Sequence, residues 1–131
     1  MPVTRAPPRL IERIGADNLF IQLDSFHMHI EEQNFAAGFE DAAPFLGYVQ
    51  VSEANRGVPG RGMLDWGACM KAIADIGYGG AVTLKGAPQT YPGAGADKSL
   101  WRVHKEDPRD FVDAGLPFVR EAARKAGLTL G

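Results

Sequence analysis

Apolar positions along the chain fall into two alternating patterns, short contiguous runs and stripes at helical spacing. Leu10, Ile11 and Ile14 form a stripe after the Pro7–Pro8 pair, closed by Gly15 and Asn18. Leu19, Phe20, Ile21, Gln22 and Leu23 make a short run that stops at Asp24 and predict a buried strand. Phe35, Phe39, Ala42 and Phe45 recur at helical spacing, so a helix is expected there, ending near Pro44 and Gly47. Tyr48–Val51 reads as a second strand, followed by a loop dense in turn residues from Asn55 to Gly62. Asp65 suits the N-cap of a helix with the stripe Trp66, Cys69, Met70 and Ile73. Gly77, Gly79 and Gly80 end it, and Ala81–Leu84 predicts a third strand. A Gly/Pro-rich loop is expected from Gly86 to about Lys98, and a mostly helical tail from Phe111 to Leu128, interrupted at Pro117.

Strands alternating with helices predict an α/β fold with parallel strands and crossover helices. A doubly wound open sheet and a piece of a (β/α)₈ barrel both fit. In either one, Asp24, Gln50 and Lys85 fall at the C-terminal ends or inner faces of strands, where such folds bind ligands.

Composition narrows the partners. At 131 residues the chain makes one domain, 1–131, without an internal boundary. A net charge of −2 gives no basic footprint for nucleic acid or anionic lipid. The single cysteine, Cys69, excludes an internal disulfide framework and a cysteine-based zinc site. No apolar run approaches the roughly 18 residues of a membrane span, and the first residues lack the apolar stretch of a signal peptide. A soluble, cytoplasmic protein is the expectation.

Two segments carry candidate chemistry. In Asp24–Glu32, a carboxylate near the imidazole of His27 suits a divalent cation and a sugar hydroxyl; equally, Asp24 caps the next turn and His27 is a loop residue. In Gln50–Gly62, the Gln50 carbonyl could serve a metal and the Arg56 fork an anionic or polyol group. Alone, the same stretch is a surface loop, without the lysine and spacing of a P-loop.

Taken together, DSFHMHIEE at 24–32 resembles the signature of the ketose 3-epimerases, the D-tagatose 3-epimerase branch of the xylose-isomerase-like TIM barrels, where the string is close to DTFHMNIEE. Some 26 residues after Asp24 comes Gln50, then SEANRGVPGRGMLDW at 52–66, similar to the family's SENHRGxPGxGxxDW. Gly77–Gly80 and Leu100–Arg102 also resemble later family segments, so the likeness runs from about Leu10 to Gly127. It implies a partial (β/α)₈ TIM barrel, about the last three βα units, since a whole barrel takes about 250 residues.

The resemblance also implies a function: a sugar isomerase or epimerase acting on a ketose or ketose phosphate by metal-dependent proton transfer beside a carbonyl. Such proteins hold manganese, cobalt or magnesium with a glutamate from the fifth strand, then Asp, His and Glu from the next three. The two glutamates are acid and base. Asp24 matches the aspartate ligand and Gln50 the histidine, where hydroxypyruvate-isomerase-like relatives carry glutamine. His27, Arg56 and Glu53 match or neighbour substrate-contacting positions. Lys85 falls where the last glutamate stands, and no Glu occurs between Glu53 and Glu106. The fifth-strand glutamate would precede the chain, so no catalytic residue is assigned.

A lysine opposes a cation. Lys85 is therefore expected to pair with Asp24 and replace the metal electrostatically, a Schiff-base lysine being the other reading. An isolated chain of this kind is expected to be inactive or weak. The alternatives are a degenerate half-barrel that binds a sugar or a partner, and a remnant with no independent role. A three-strand piece also exposes two sheet edges and an inner face. Leu23, Val49, Val51, Val82 and Leu84 are expected to need covering by a second copy or a complementary N-terminal barrel half.

Overall fold

A computed structural model describes residues 6–86 and 107–129. Helix α1 spans Ala6–Ile14 and strand β1 Ile21–Asp24; α2 (Ser25–Glu31) and α3 (Phe35–Ala42) follow, then a 3₁₀ turn at Ala43–Phe45. Strand β2 is Leu46–Val51, α4 Trp66–Asp75 and β3 Val82–Leu84. The tail is a short helical segment α5 (Pro108–Asp110), a π-helical turn at Phe111–Gly115 and α6 (Leu116–Lys125).

Side-chain caps start α2, α3 and α4. Asp24 accepts a hydrogen bond from the Phe26 N–H at 3.0 Å, Asn34 one from Ala37 at 2.9 Å and Asp65 one from Ala68 at 2.9 Å. Each satisfies a backbone donor that has no partner inside its helix. Prolines sit where a missing N–H is harmless: Pro7 and Pro8 lie within the first turn of α1, not ahead of it, and Pro117 opens α6.

The three strands form one parallel sheet in the order β1-β2-β3. Leu23 pairs with Val49 and Asp24 with Gln50, while Val49 pairs with Val82, Gln50 with Thr83 and Val51 with Leu84. Side chains alternate across a strand, so these pairs sort the residues onto two faces. Leu23, Val49, Val51, Val82 and Leu84 share one face, turned toward the helices; the first three are buried there with Phe39, Met70 and Ile73. Gln22, Asp24, Tyr48, Gln50 and Thr83 share the other. The expectation that the first group needs an outside cover is thus corrected: the chain's own α3, α4 and α6 cover it, and the open face is polar.

Other boundaries shift for local reasons. The first strand begins at Ile21, leaving Leu19 and Phe20 exposed, Phe20 by 68%. Phe20 lies along Gly47, where a Cβ would come within 2.7 Å of its own. The chain runs from β1 directly into α2, so His27 stands on a helix and not in a loop. In α1 only Ile11 of the apolar stripe is buried. The Gly/Pro loop after Gly86 and the Leu100–Arg102 segment lie outside the described residues. Among those described, no helix is long and apolar enough to cross a membrane.

Candidate functional site

Asp24 ends β1 with its side chain on the polar face and only 7% exposed. Two cations meet its carboxylate. Lys85 follows β3, its N–H continuing the ladder to the Val51 carbonyl at 2.8 Å, and its Nζ donates to Asp24 Oδ2 at 2.9 Å. Arg56 Nη1 donates to the same oxygen at 3.1 Å from the loop after β2. The expected pair of Lys85 with Asp24 is present, and the Arg56 pair is an addition that spacing did not suggest.

Arg56 is itself built in. It is 5% exposed, its Nη2 lies 3.1 Å from His27 Nε2, and its guanidinium carbon stands 3.8 Å from the centre of the Phe26 ring. Because a guanidinium can only donate, His27 Nε2 is the acceptor in this contact. Stacking on Phe26 adds a cation–π contact, which favours Arg over Lys. Arg56 takes a positive φ of 62°, a conformation that costs a non-glycine residue about 1–3 kcal/mol and persists only when the surroundings impose it. Ser25 helps impose it: its hydroxyl donates to the Ser52 carbonyl and accepts from the Ser52 N–H, both at 2.8 Å, tying the end of β2 to the start of α2.

Glu53 departs from the expected substrate contact. It is 0% exposed, and its two oxygens accept from the backbone N–H of Ala54, Gly60 and Leu64 and from the Trp66 indole at 2.8–2.9 Å. With its acceptors occupied inside the loop, Glu53 shapes the segment that delivers Arg56. Local spacing carried no sign of this, because three of the four donors return from residues 60–66. Phe26 and Ser25 were likewise missed, although both stand in the 24–32 string beside residues that were singled out.

Burial alone would raise the Asp24 pKa, but the hydrogen bonds from Lys85 and the Phe26 N–H and the charge of Arg56 outweigh it, so the carboxyl lies below its ordinary 3.8. Gln50 stands beside Asp24 in the sheet; among the described residues its buried Oε1 has no hydrogen-bond partner, nor has the buried Arg56 Nε. Asp24, His27 and Lys85 line a cleft of about 350 Å³ with Gln22, Glu31 and Glu32 along its walls. Elsewhere, Cys69 is buried in the core, its thiol pushed up to about 12 by burial and by Asp65, and offers no nucleophile.

These residues do not fit a divalent cation. Asp24 and Gln50 are adjacent, but the carboxylate is already shared by an ammonium and a guanidinium. Among the described residues no group of three or more His, Cys, Asp or Glu side chains could hold a metal ion. A Schiff-base role for Lys85 fits no better, since its ion pair and 38% exposure are the reverse of an apolar pocket.

Comparisons with known proteins agree with the fold. A D-psicose 3-epimerase from Agrobacterium fabrum is 38% identical over 92 residues, 70% of this chain and 32% of that protein. An L-ribulose 3-epimerase from Mesorhizobium japonicum is 32% identical over 122 residues, 86% of this chain and 41% of that protein. A solved L-ribulose 3-epimerase structure matches with a TM-score of 0.84 at 27% identity, covering 97% of this chain and 43% of that one. The chain thus spans about a third to two fifths of the length of these relatives. Residues 8–105 match a family described as xylose isomerase-like TIM barrel, and with three parallel strands carrying Asp24 and Lys85 at one end, the chain belongs to that family of sugar isomerases and epimerases.

Proposed function

We propose that the chain is the sugar-binding C-terminal part of an isomerase/epimerase barrel, and that by itself it has no or very low epimerase activity. One observation carries this: the carboxylate at the strand ends, Asp24, is locked between Arg56 and Lys85. A proton moved on and off a sugar carbon needs a free base within reach, and Asp24 is tied to two cations. His27 is held by Arg56 and serves as a hydroxyl contact, with Arg56 behind it. Ketoses are the proposed ligand class, on the strength of the psicose and ribulose 3-epimerase relatives. The polar strand face and the free edges of β1 and β3 would be completed by the remaining barrel units or by a second copy.

The test is turnover of D-psicose, D-fructose and L-ribulose by the purified 131-residue chain with manganese present. The expected result is binding without measurable epimerisation; robust turnover refutes the proposal. A second reading, a half-barrel that binds a sugar or a partner chain without chemistry, is favoured by the same locked carboxylate. Native mass measurement separates them: a stable complex with an N-terminal barrel half that gains activity supports the enzyme, and an inert homo-oligomer supports the binding module.

A further inference from the structure

Resting on the reading of the cleft as a sugar site, we infer that it binds an uncharged polyol without any divalent cation, with the Lys85 ammonium as the ligand's anchor. Three observations converge. First, the donor set rejects a metal: one carboxylate faces two permanent cations. Second, Lys85 lines the cleft and has three N–H donors, of which one goes to Asp24 and none to another partner among the described residues. Those remaining donors can hold a carbonyl or hydroxyl oxygen, as a cation's open coordination positions would. Asp24 fixes the ammonium in place, so the anchor is preorganised at little entropic cost.

The third observation sets the ligand's chemistry. Among the described residues Gln50 Oε1 is a buried acceptor and Arg56 Nε a buried donor without a hydrogen-bond partner; neither residue lines the cleft, but both adjoin Asp24, which does. An acceptor calls for a ligand group with a proton to give, and a hydroxyl both gives and takes where a phosphate or carboxylate oxygen only takes. Charge argues the same way. Arg56 is paired with Asp24, and Glu31 lines the cleft beside Asp24, so an added anion would meet carboxylates, with Lys85 the one lysine or arginine among the described residues that line the cleft. Lys85 is 38% exposed, so its side chain can be replaced without opening a cavity in the buried core.

The test is calorimetric titration of the purified chain with D-fructose, first in EDTA and then with manganese chloride, and with D-fructose 6-phosphate as the charged counterpart. The expected result is fructose binding in EDTA that manganese leaves unchanged, weakened at least about tenfold in Lys85→Met and retained in Lys85→Arg, with the phosphate ester binding no tighter than fructose. Fructose binding that appears only with manganese overturns the inference, as does Lys85→Met binding as tightly as the parent. A tenfold preference for the phosphate ester overturns the uncharged ligand. If neither fructose, psicose nor ribulose binds under either condition, the sugar-site reading fails and the inference with it. The other failures leave that reading intact.

Discussion

Lys85, just past the end of β3, reaches across the sheet to Asp24 at the end of β1, its Nζ 2.9 Å from Oδ2, with Gln50 of β2 in the register between them. An ammonium therefore sits in the midst of the three strand ends, at the place where a cation shared by those strands would bind. Arg56 donates to the same Oδ2 at 3.1 Å.

Replacing that ammonium with a carboxylate reverses the local field. Lys85→Glu sets a second carboxylate opposite Asp24 with the Gln50 oxygen between them, a group of hard oxygen ligands. The variant should bind manganese at least about tenfold more tightly than the parent chain, or about 1.4 kcal/mol, as read by electron paramagnetic resonance of free manganese. Equal weak binding by both proteins would show that Lys85 does not control cation access.

Arg56→Lys keeps the charge and discards the geometry. A lysine cannot bond Asp24 and His27 in one plane or stack flat on Phe26. The expected loss is about 2 kcal/mol, and for Arg56→Ala about 3–5 kcal/mol because buried Asp24 loses its inward partner. Urea midpoints measure both; a lysine variant as stable as the parent would mean that charge alone matters at this position.

Glu53→Gln tests the loop hub. The substitution preserves volume but replaces one carboxylate oxygen with an NH₂, so two of the four N–H groups, either Ala54 and Leu64 or Gly60 and Trp66, meet a donor in place of an acceptor. Donor facing donor leaves buried groups unpaired, at about 1–3 kcal/mol each, so thermal unfolding should fall by at least about 4 °C. A direct sugar contact would predict lost binding with the melting temperature unchanged.

How far the sequence could be read follows from what each feature depends on. Strand and helix order depend on local periodicity, and the β1, β2, α4 and β3 segments all lie close to where the apolar pattern places them. Which face of the sheet is covered depends on where the helices pack, so alternation sorted Leu23 from Asp24 without saying that Leu23 was already buried. Glu53 sits in a loop rich in turn residues, a setting that suggests exposure; its burial comes from a chain reversal at Gly60 and the return of Trp66. The Asp24–Lys85 pair, 61 residues apart, could be expected only through the family alignment. Arg56 on Phe26 had no such guide.

Gly60 marks that reversal. Its φ is +84°, and a Cβ there would lie 2.7 Å from the Phe118 ring, which packs edge-on against Trp66. Gly60→Ala meets both a backbone conformation that side chains avoid and a ring, 38% exposed, that must shift to admit the methyl group. A cost of about 2 kcal/mol is expected from the conformation and the clash together, seen as a lower urea midpoint. An unchanged midpoint would mean that α6 shifts freely away from the loop.

Acid should loosen the site in a definite direction. The Asp24 pKa in the folded chain lies below 3.8, so its contribution to stability is complete above that value and is lost as pH falls from 3.8 through the lower folded value. In Asp24→Asn the contribution is missing at every pH, and Arg56 is left buried without its counter-charge, at about 3–5 kcal/mol near neutrality; Lys85, 38% exposed, can turn to water and adds less. The stability gap between parent and variant should therefore be constant above about pH 5 and narrow steadily below 3.8. Urea unfolding at a series of pH values from about 2 to about 6 measures the gap. One that stays constant down to about pH 2 would show that the carboxylate is not preferentially charged in the folded chain, and the Lys85–Asp24–Arg56 arrangement would then contribute no pH-dependent stability.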